Sequence, residues 1–343
     1  MAKEKEQKIE TDIAKIIEQL DKDYGAGSVI YGDKVEQFDN IISTGSFGLD
    51  IALGIGGLPL AGKVVELFGW ESSGKSTLTQ TFIGNVQKRL KEVGSDKKCL
   101  LLDGENSLDG EYATKLGVDL NDLIVVQLDQ TAGEGAYNKM EMLVKSGKIA
   151  VVVVDSYNSL QPLKVLVGGE IGDSSMGVHA RMLGQVVARA NYLAAQYGTL
   201  FIFIGQIRQS IGVMYGSPDV TQGGNALKFY SHVRMNIRKS VRKDDSTKEE
   251  MANITTVKVI KNKMAPPFKT ASFEVLFGEG IDVLGEVVDA ASELNIINKS
   301  GSWYSYEGSK LGQGANAVRE ILLSNPELFE EIKQKVKNAV AKG

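Results

Sequence analysis

The chain has 343 residues, room for one large domain with one or two small ones. Apolar residues make up 43% and charged residues 24%, with 38 glycines and 6 prolines, which excludes disordered, collagen-like and coiled-coil chains. The 39 Lys and Arg against 43 Asp and Glu leave a net charge of −4, which argues against a surface coated for nucleic acid but leaves local basic patches open. A single cysteine, Cys99, allows no internal disulfide and no Cys/His zinc cluster, and fits a reducing cytosol. The apolar runs fall far short of the roughly 20 residues that span a bilayer. The opening MAKEKEQK has no apolar secretory segment, so a soluble cytoplasmic protein is expected.

Ile9, Ile13, Ile16, Ile17 and Leu20 recur at spacings of three and four, predicting an amphipathic helix that stops near Gly25. A Gly-rich stretch to Asp33 sets it apart, so its apolar stripe covers either its own core or a neighbouring subunit. Residues 64–68 read as a strand, followed by a helix carrying Leu78, Phe82, Ile83, Val86 and Leu90. Residues 99–103, 123–128, 149–155 and 200–205 are short apolar runs, as expected for strands buried on both faces of a parallel sheet. Helical periodicity separates several of them, notably Val178, Met182, Leu183, Val186, Val187, Ala190 and Leu193. The expected fold class is α/β, a mostly parallel central sheet between helices.

After residue 230 the pattern changes to alternating strands at 233–239, 256–261 and 271–277, which extend one sheet edge antiparallel. This region is basic: six Lys and Arg and no acid between Leu227 and Lys243, and four Lys and no acid between Met251 and Phe273. The mixed run 244–250 between them reads as a solvated loop. From Gly280 a small α+β module is expected, with a helix through Val287 and Leu294, a hairpin at Trp303-Tyr304-Ser305-Tyr306 and two closing helices, the last started by Asn325-Pro326. The organisation is then 1–33 for the N-terminal helix and linker, 34–279 for the main domain and 280–343 for the C-terminal module.

Gly69-Trp70-Glu71-Ser72-Ser73-Gly74-Lys75-Ser76, followed by Thr77, fits the pattern G-x-x-x-x-G-K-[ST] between a predicted strand and a predicted helix. Glycines let backbone amides close around phosphate oxygens, the helix N-terminus adds its dipole, Lys75 neutralises β/γ charge and Ser76 reaches magnesium. Asp155 ends a buried strand, where such folds hold the magnesium shell. Glu105, just beyond another strand end, is the candidate base for water attacking the γ-phosphate, with Asp103 as its rival and a turn cap as the bland alternative for that carboxylate pair. Gln206 places an uncharged amide at a further strand end, suited to reporting a third phosphate. His179 and His232 have no nucleophilic or metal-ligand context and read as structural.

Two long Gly-rich loops follow, 168–177 and 207–229, and loops of that length are usually functional or disordered. At these residues the chain resembles the RecA family of bacterial recombinases and its phage-encoded members. The match runs from Ile42-Ser43-Thr44-Gly45-Ser46 through the phosphate loop, Glu105, Asp155, both loops, Asn225-Ala226-Leu227-Lys228-Phe229 and Lys261-Asn262-Lys263 to Trp303-Tyr304-Ser305-Tyr306, nearly the whole chain.

The resemblance implies a helical filament of protomers on single-stranded DNA, with ATP at each subunit interface, DNA-stimulated hydrolysis, and pairing with homologous duplex followed by strand exchange in recombination and repair. It implies that Glu105 is the catalytic glutamate, Asp155 the magnesium-associated aspartate, Gln206 the coupling glutamine, and Tyr112 and Asp109 the neighbours of adenine. Lys261 and Lys263 match a pair inserted into the neighbouring protomer's ATP site, where they would act on developing charge. Met176, Arg181, Arg208, Ile211, Gly223, Gly224 and Asn225 match the DNA-contacting loops, where amides and arginines hold phosphates without reading bases and an apolar wedge separates them. The N-terminal helix matches the protomer-to-protomer contact, and Lys310, Lys333, Lys335 and Lys337 of the last module are candidates for duplex contact. Single-strand-binding and loader proteins are further implied partners.

Trp70 stands in place of the family's usual proline, Asn106 of its histidine and Gly205 of its asparagine. Two other functions stay open on sequence alone: a ring-shaped motor built on the same core, and a nucleotide-gated single-strand coat that hydrolyses little.

Overall fold

The computed structural model describes residues 2–25, 27–34, 40–168, 177–209, 219–221, 223–243 and 250–340. The chain divides into two compact units, Met1–Asp39 and Asn40–Gly343. The first is helix α1 (Ala2–Tyr24), which stops where Gly25 takes a positive φ, with a single helical turn at Gly32–Lys34.

The second unit opens with β1 (Ile41–Ile42), α2 (Phe47–Leu53) and β2 (Leu58–Pro59). Strands and helices then alternate: β3 (Val64–Gly69), α3 (Lys75–Glu92), β4 (Lys98–Asp103), α4 (Gly110–Lys115), β5 (Leu123–Gln127), α5 (Ala132–Lys145), β6 (Ile149–Asp155), α6 (Leu163–Val167), α7 (Val178–Tyr197), β7 (Leu200–Gln209), β8 (Asp219–Thr221) and α8 (Ala226–Tyr230). Four strands follow without an intervening helix: β9 (Val233–Lys243), β10 (Glu250–Asn262), β11 (Thr270–Leu276) and β12 (Gly280–Ile281). The last stretch holds α9 (Val283–Glu293), a three-stranded sheet of β13 (Asn298–Ser300), β14 (Trp303–Tyr306) and β15 (Ser309–Gln313), and the helices α10 (Ala315–Ser324) and α11 (Pro326–Val340).

The main sheet runs β12-β11-β10-β9-β3-β7-β6-β4-β5, with β8 on β7. Neighbours from β9 to β5 are parallel, and those from β9 to β12 antiparallel. Residues 64–69 and 149–154 are buried throughout, because helices cover both sheet faces. On one face Val65, Leu67, Leu101 and Val153 pack with Leu78, Phe82 and Val86 of α3; on the other, Leu100, Leu102, Val152 and Val154 pack with α5 and α7. Each such side chain contributes about 1.5–3 kcal/mol of burial. The expected α/β architecture with an antiparallel edge is the one observed.

The stretch 207–229 differs from a single long loop. Strand β7 continues to Gln209, because β8 pairs with its extension (Ile207↔Thr221, Gln209↔Asp219) and Ile207 is buried beneath it. Helix α8 closes the stretch by burying Leu227. Residues 169–176, 210–218 and 244–249, which include much of both loops and most of the mixed charge run, lie outside the described residues.

Buried Glu66 and half-buried Glu286 lie at structural junctions. Glu66, in the central strand, meets the Arg234 side chain, which also stacks over Phe68, and accepts the Tyr157 hydroxyl at 3.3 Å. Glu286 of α9 reaches the N-terminus of α2, where it accepts from Ser46 Oγ at 2.7 Å and from the Phe47 and Gly48 amides at 3.0 Å each. That joins the C-terminal cluster of Phe47, Val287, Tyr304, Leu322 and Val336 to the core. Burial pushes Glu286 up to about 7 against the three hydrogen bonds, with Asp50 adding like charge. Since the folded value exceeds that of an unfolded glutamate, Glu286 favours folding most below about pH 4.5 and loses that contribution as pH rises through about 7. Thermal unfolding of wild type and Glu286→Gln across pH 4.5–7.5 is expected to give a difference that shifts in favour of the variant as pH rises; a pH-independent difference would contradict this assignment.

Candidate functional site

Parallel pairing brings residues of four strands to one edge of the sheet. Gly69 at the end of β3 stands beside Gln206 of β7, and Asp155 at the end of β6 beside Asp103 of β4, with β7 and β6 adjacent in between. This is the C-terminal edge of an open α/β sheet, where the chain leaves strands for loops and ligands are taken.

The phosphate loop links β3 to α3. A Cβ on Gly69 would lie 2.1 Å from the Ile237 carbonyl oxygen, and Gly74 caps α3 at φ +89°, so both glycines are required by geometry. Ser72 shares the left-handed region at φ +55°. Lys75 is buried, and its ammonium donates to the Trp70 carbonyl at 2.6 Å and the Gly69 carbonyl at 3.3 Å, while Ser73 Oγ donates to the same Trp70 carbonyl at 2.7 Å. The loop is thus folded around its own lysine. Burial pushes Lys75 down, opposed by Asp155, Glu105 and Glu71.

Ser76 Oγ donates to Asp155 Oδ2 at 2.6 Å. Burial pushes Asp155 up to about 6, with Glu105 and Asp103 adding like charge against the Ser76 hydrogen bond and Lys75. A hydroxyl and a carboxylate in contact are hard oxygen donors, and a carboxylate destabilised by burial and like charge favours a cation, so these residues fit a small divalent ion.

Glu105 and Asp103 separate clearly. Asp103 is buried and accepts the amides of Glu105, Ser107 and Leu108 at 3.1–3.3 Å, capping the turn. Glu105 is exposed, and its Oε1 accepts from Ser156 Oγ at 2.7 Å, Ser159 Oγ at 3.1 Å and Gln206 Nε2 at 3.1 Å. The turn after β6 that carries these serines drew no notice in the sequence, although it directly follows Asp155. Asn106 sits beside Glu105 at φ +51°, a conformation asparagine tolerates well.

A cavity of about 540 Å³ opens beside the phosphate loop, lined by Ser72 to Thr77 and by Asp109 and Tyr112. Asp109 is the N-cap of α4, accepting the Glu111 and Tyr112 amides, and the Tyr112 hydroxyl lies 3.2 Å from Thr77 Oγ1. The opposite wall comes from Asn253, Thr255 and residues 275–278. Asn253 Oδ1 is buried beside this cavity with no hydrogen-bond partner among the described residues. Strand periodicity marks these positions only as sheet; their approach to the phosphate loop depends on the β9–β11 edge folding beside β3.

Lys261 and Lys263 come together on β10 and its end but not with Lys75 or Glu105. The Lys261 ammonium donates to the Lys228 and Phe229 carbonyls at 2.8 and 3.0 Å, at the end of α8. Burial, then Lys263 and Arg234, push Lys261 down. Nearby, His232 Nδ1 accepts the Val64 amide at 3.1 Å and burial takes it down to about 4, so it is neutral and structural.

Of the loop residues, Arg181 is exposed on the first turns of α7. Gly223 and Gly224 seat against the same helix, since a Cβ would meet Leu183 at 2.3 Å and Ala180 at 3.2 Å respectively, and exposed Asn225 caps α8. Met176 and Ile211 lie outside the described residues, as does the side chain of Arg208.

The family model of the RecA N-terminal domain matches residues 11–282, and that of the RecA C-terminal domain residues 285–341. The chain is 47% identical over 325 residues to Protein RecA of Cytophaga hutchinsonii, covering 94% of this chain and 89% of that protein. It is 46% identical over 329 residues to Protein RecA of Bordetella petrii, covering 95% and 88%, and 47% identical over 320 residues to that of Bifidobacterium longum, covering 93% and 78%. The chain belongs to the RecA family, the DNA-dependent ATPases that form filaments on single-stranded DNA and exchange homologous strands.

Proposed function

We propose that the edge formed by Lys75, Ser76, Asp155, Glu105 and Gln206 hydrolyses ATP with Mg²⁺ and couples that hydrolysis to DNA held by the loops before α7 and α8. The observation that carries this reading is the convergence on Glu105 Oε1: an exposed carboxylate just past the end of β4 is bonded to the amide of Gln206, in the strand β7 that leads into the second loop.

In this reading the amides of residues 69–74 and the α3 N-terminus hold the phosphates, and Lys75 exchanges its two carbonyl partners for phosphate oxygens. Ser76 and Asp155 would hold a magnesium ion, which would neutralise phosphate charge when bound. Thr77, Asp109 and Tyr112 line the space for the nucleoside, with Trp70 and Glu71 at the mouth of the loop. Glu105 orients water and takes its proton as the water oxygen bonds to the γ-phosphorus, while the bond from that phosphorus to the β-γ bridging oxygen breaks and ADP leaves with the bond's electron pair. Gln206 senses the γ-phosphate and transmits its presence to the DNA loop.

Lys261 and Lys263 act in trans, entering the ATP site of the next protomer. What supports this is that the Lys261 ammonium bonds carbonyls at the end of α8 and not the phosphate loop of its own chain. Helix α1, whose Ile13 and Ile16 are exposed, is the protomer-to-protomer contact. Met176, Arg181, Arg208, Ile211, Gly223, Gly224 and Asn225 hold the single strand. The boundaries 1–33, 34–279 and 280–343 divide contact helix, ATPase core and duplex-facing module. The protein works in the cytoplasm and meets single-strand-binding and loader proteins there.

ATP turnover with and without single-stranded DNA tests the site. Glu105→Gln is expected to lose about 10²-fold or more of turnover while still binding DNA in the presence of ATP. Normal turnover in the variant would remove Glu105 from the chemistry, and turnover indifferent to DNA would favour a motor or coat. The trans role has its own test. Lys263→Ala and Glu105→Gln proteins, each inactive alone, should recover turnover when mixed, because one supplies an intact Glu105 site and the other intact lysines. No recovery in mixed filaments would place the lysines' action within a single chain.

A further inference from the structure

The residue before Gln206 is Gly205, where the resemblance to the family leads one to expect asparagine. A Cβ on residue 205 would lie 2.2 Å from the Tyr157 hydroxyl oxygen, so the Tyr157 ring occupies the space of a side chain there. The ring is fully buried and its hydroxyl reaches Glu66. The adjacent turn also holds the next residue of β7: Asn158 Oδ1 accepts the Gln206 N–H at 2.7 Å. Tyr157 N donates to the Ile204 carbonyl at 3.0 Å, so the turn is laced to β7 along its length.

The same turn holds Glu105. Three donors converge on Glu105 Oε1, from Ser156, Ser159 and Gln206. A carboxylate oxygen has two in-plane lone pairs, so departure of the Gln206 amide leaves one lone pair for each hydroxyl. The two hydroxyls also lie 3.0 Å apart and have one proton each. With both protons kept in this cluster, at least one always points at Glu105. Ser156 is buried and Ser159 half-buried, which limits competition from water.

We propose that the turn 156–159 is a positioning bracket for the ATPase site. Ser156 and Ser159 fix the Glu105 carboxylate while Asn158 fixes the Gln206 backbone, so the Gln206 side chain leaves Glu105 for a nucleotide phosphate without moving either residue's anchor. The bracket rests on the roles given above to Glu105 and Gln206. Ser159 and Asn158 touch no reacting atom and act through those two residues.

The test uses the full-length protein with ATP, Mg²⁺ and single-stranded DNA, and measures kcat, KM and thermal stability. Ser159→Ala is expected to lower DNA-stimulated kcat about tenfold, with KM within about twofold and melting unchanged, since a misdirected Glu105 affects the chemical step and not ATP binding. Ser159→Thr, which keeps the hydroxyl, is expected to recover most of the loss. Asn158→Ala is expected to lower the ratio of DNA-stimulated to DNA-free turnover by a similar factor. Wild-type kcat in Ser159→Ala, a loss that Thr does not recover, a loss matched by a lower melting temperature, or an unchanged DNA ratio in Asn158→Ala overturns the bracket. Glu105→Gln measured alongside separates the two levels: if it hydrolyses normally, the role of Glu105 itself fails, whereas loss in Glu105→Gln with a wild-type Ser159→Ala defeats the bracket alone.

Discussion

The register of the parallel strands is the constraint on which the site depends. Gly69 pairs with Gln206 and Asp103 with Asp155 across a sheet whose central strands are buried on both faces. A one-residue slip would turn every one of those side chains to the other face and expose the apolar set that now packs under α3 and α7. The hydrophobic core therefore fixes the line of functional groups, at an energetic penalty for misalignment far larger than any single hydrogen bond in the site supplies. The groups themselves are suited to change: Lys75 is folded onto its own loop, Ser76 onto Asp155 and Gln206 onto Glu105, each a hydrogen bond that a ligand's oxygens replace in kind.

Much of this was legible from sequence because it follows from short-range patterns. The phosphate loop announces itself through glycines at positions where a Cβ collides or φ is positive, and the apolar runs at 149–155 and 200–205 mark two further strands of the same parallel sheet. The N-terminal helix, the antiparallel edge and the helix begun by Pro326 follow from periodicity and caps. Asp103 and Glu105 could not be told apart until the turn was seen, since two carboxylates two residues apart differ only in which amides each one meets.

What stayed hidden depends on distant pairing. The extension of β7 to Gln209 needs β8 as its partner, and β8 follows a segment with no strand periodicity. Asn253 and Thr255 enter the cavity only because β9 runs parallel to β3 and brings β10 behind it. Ser159 and Asn158 read as ordinary turn residues, and their convergence on Glu105 and Gln206 depends on the register of β4, β6 and β7 together. Gly205 is the instructive case: it looks like a lost side chain, and it is the opening through which Tyr157 reaches Glu66.

The central claim is that Gln206 moves while Glu105 stays. Electron cryo-microscopy of the filament on single-stranded DNA with a non-hydrolysable ATP analogue and Mg²⁺ measures it directly. Glu105 is expected to stay within hydrogen-bond distance of the Ser156 and Ser159 hydroxyls, with the Gln206 amide withdrawn from it toward the γ-phosphate. A Gln206 amide still on Glu105, or a Glu105 carboxylate drawn off both serines, would contradict it.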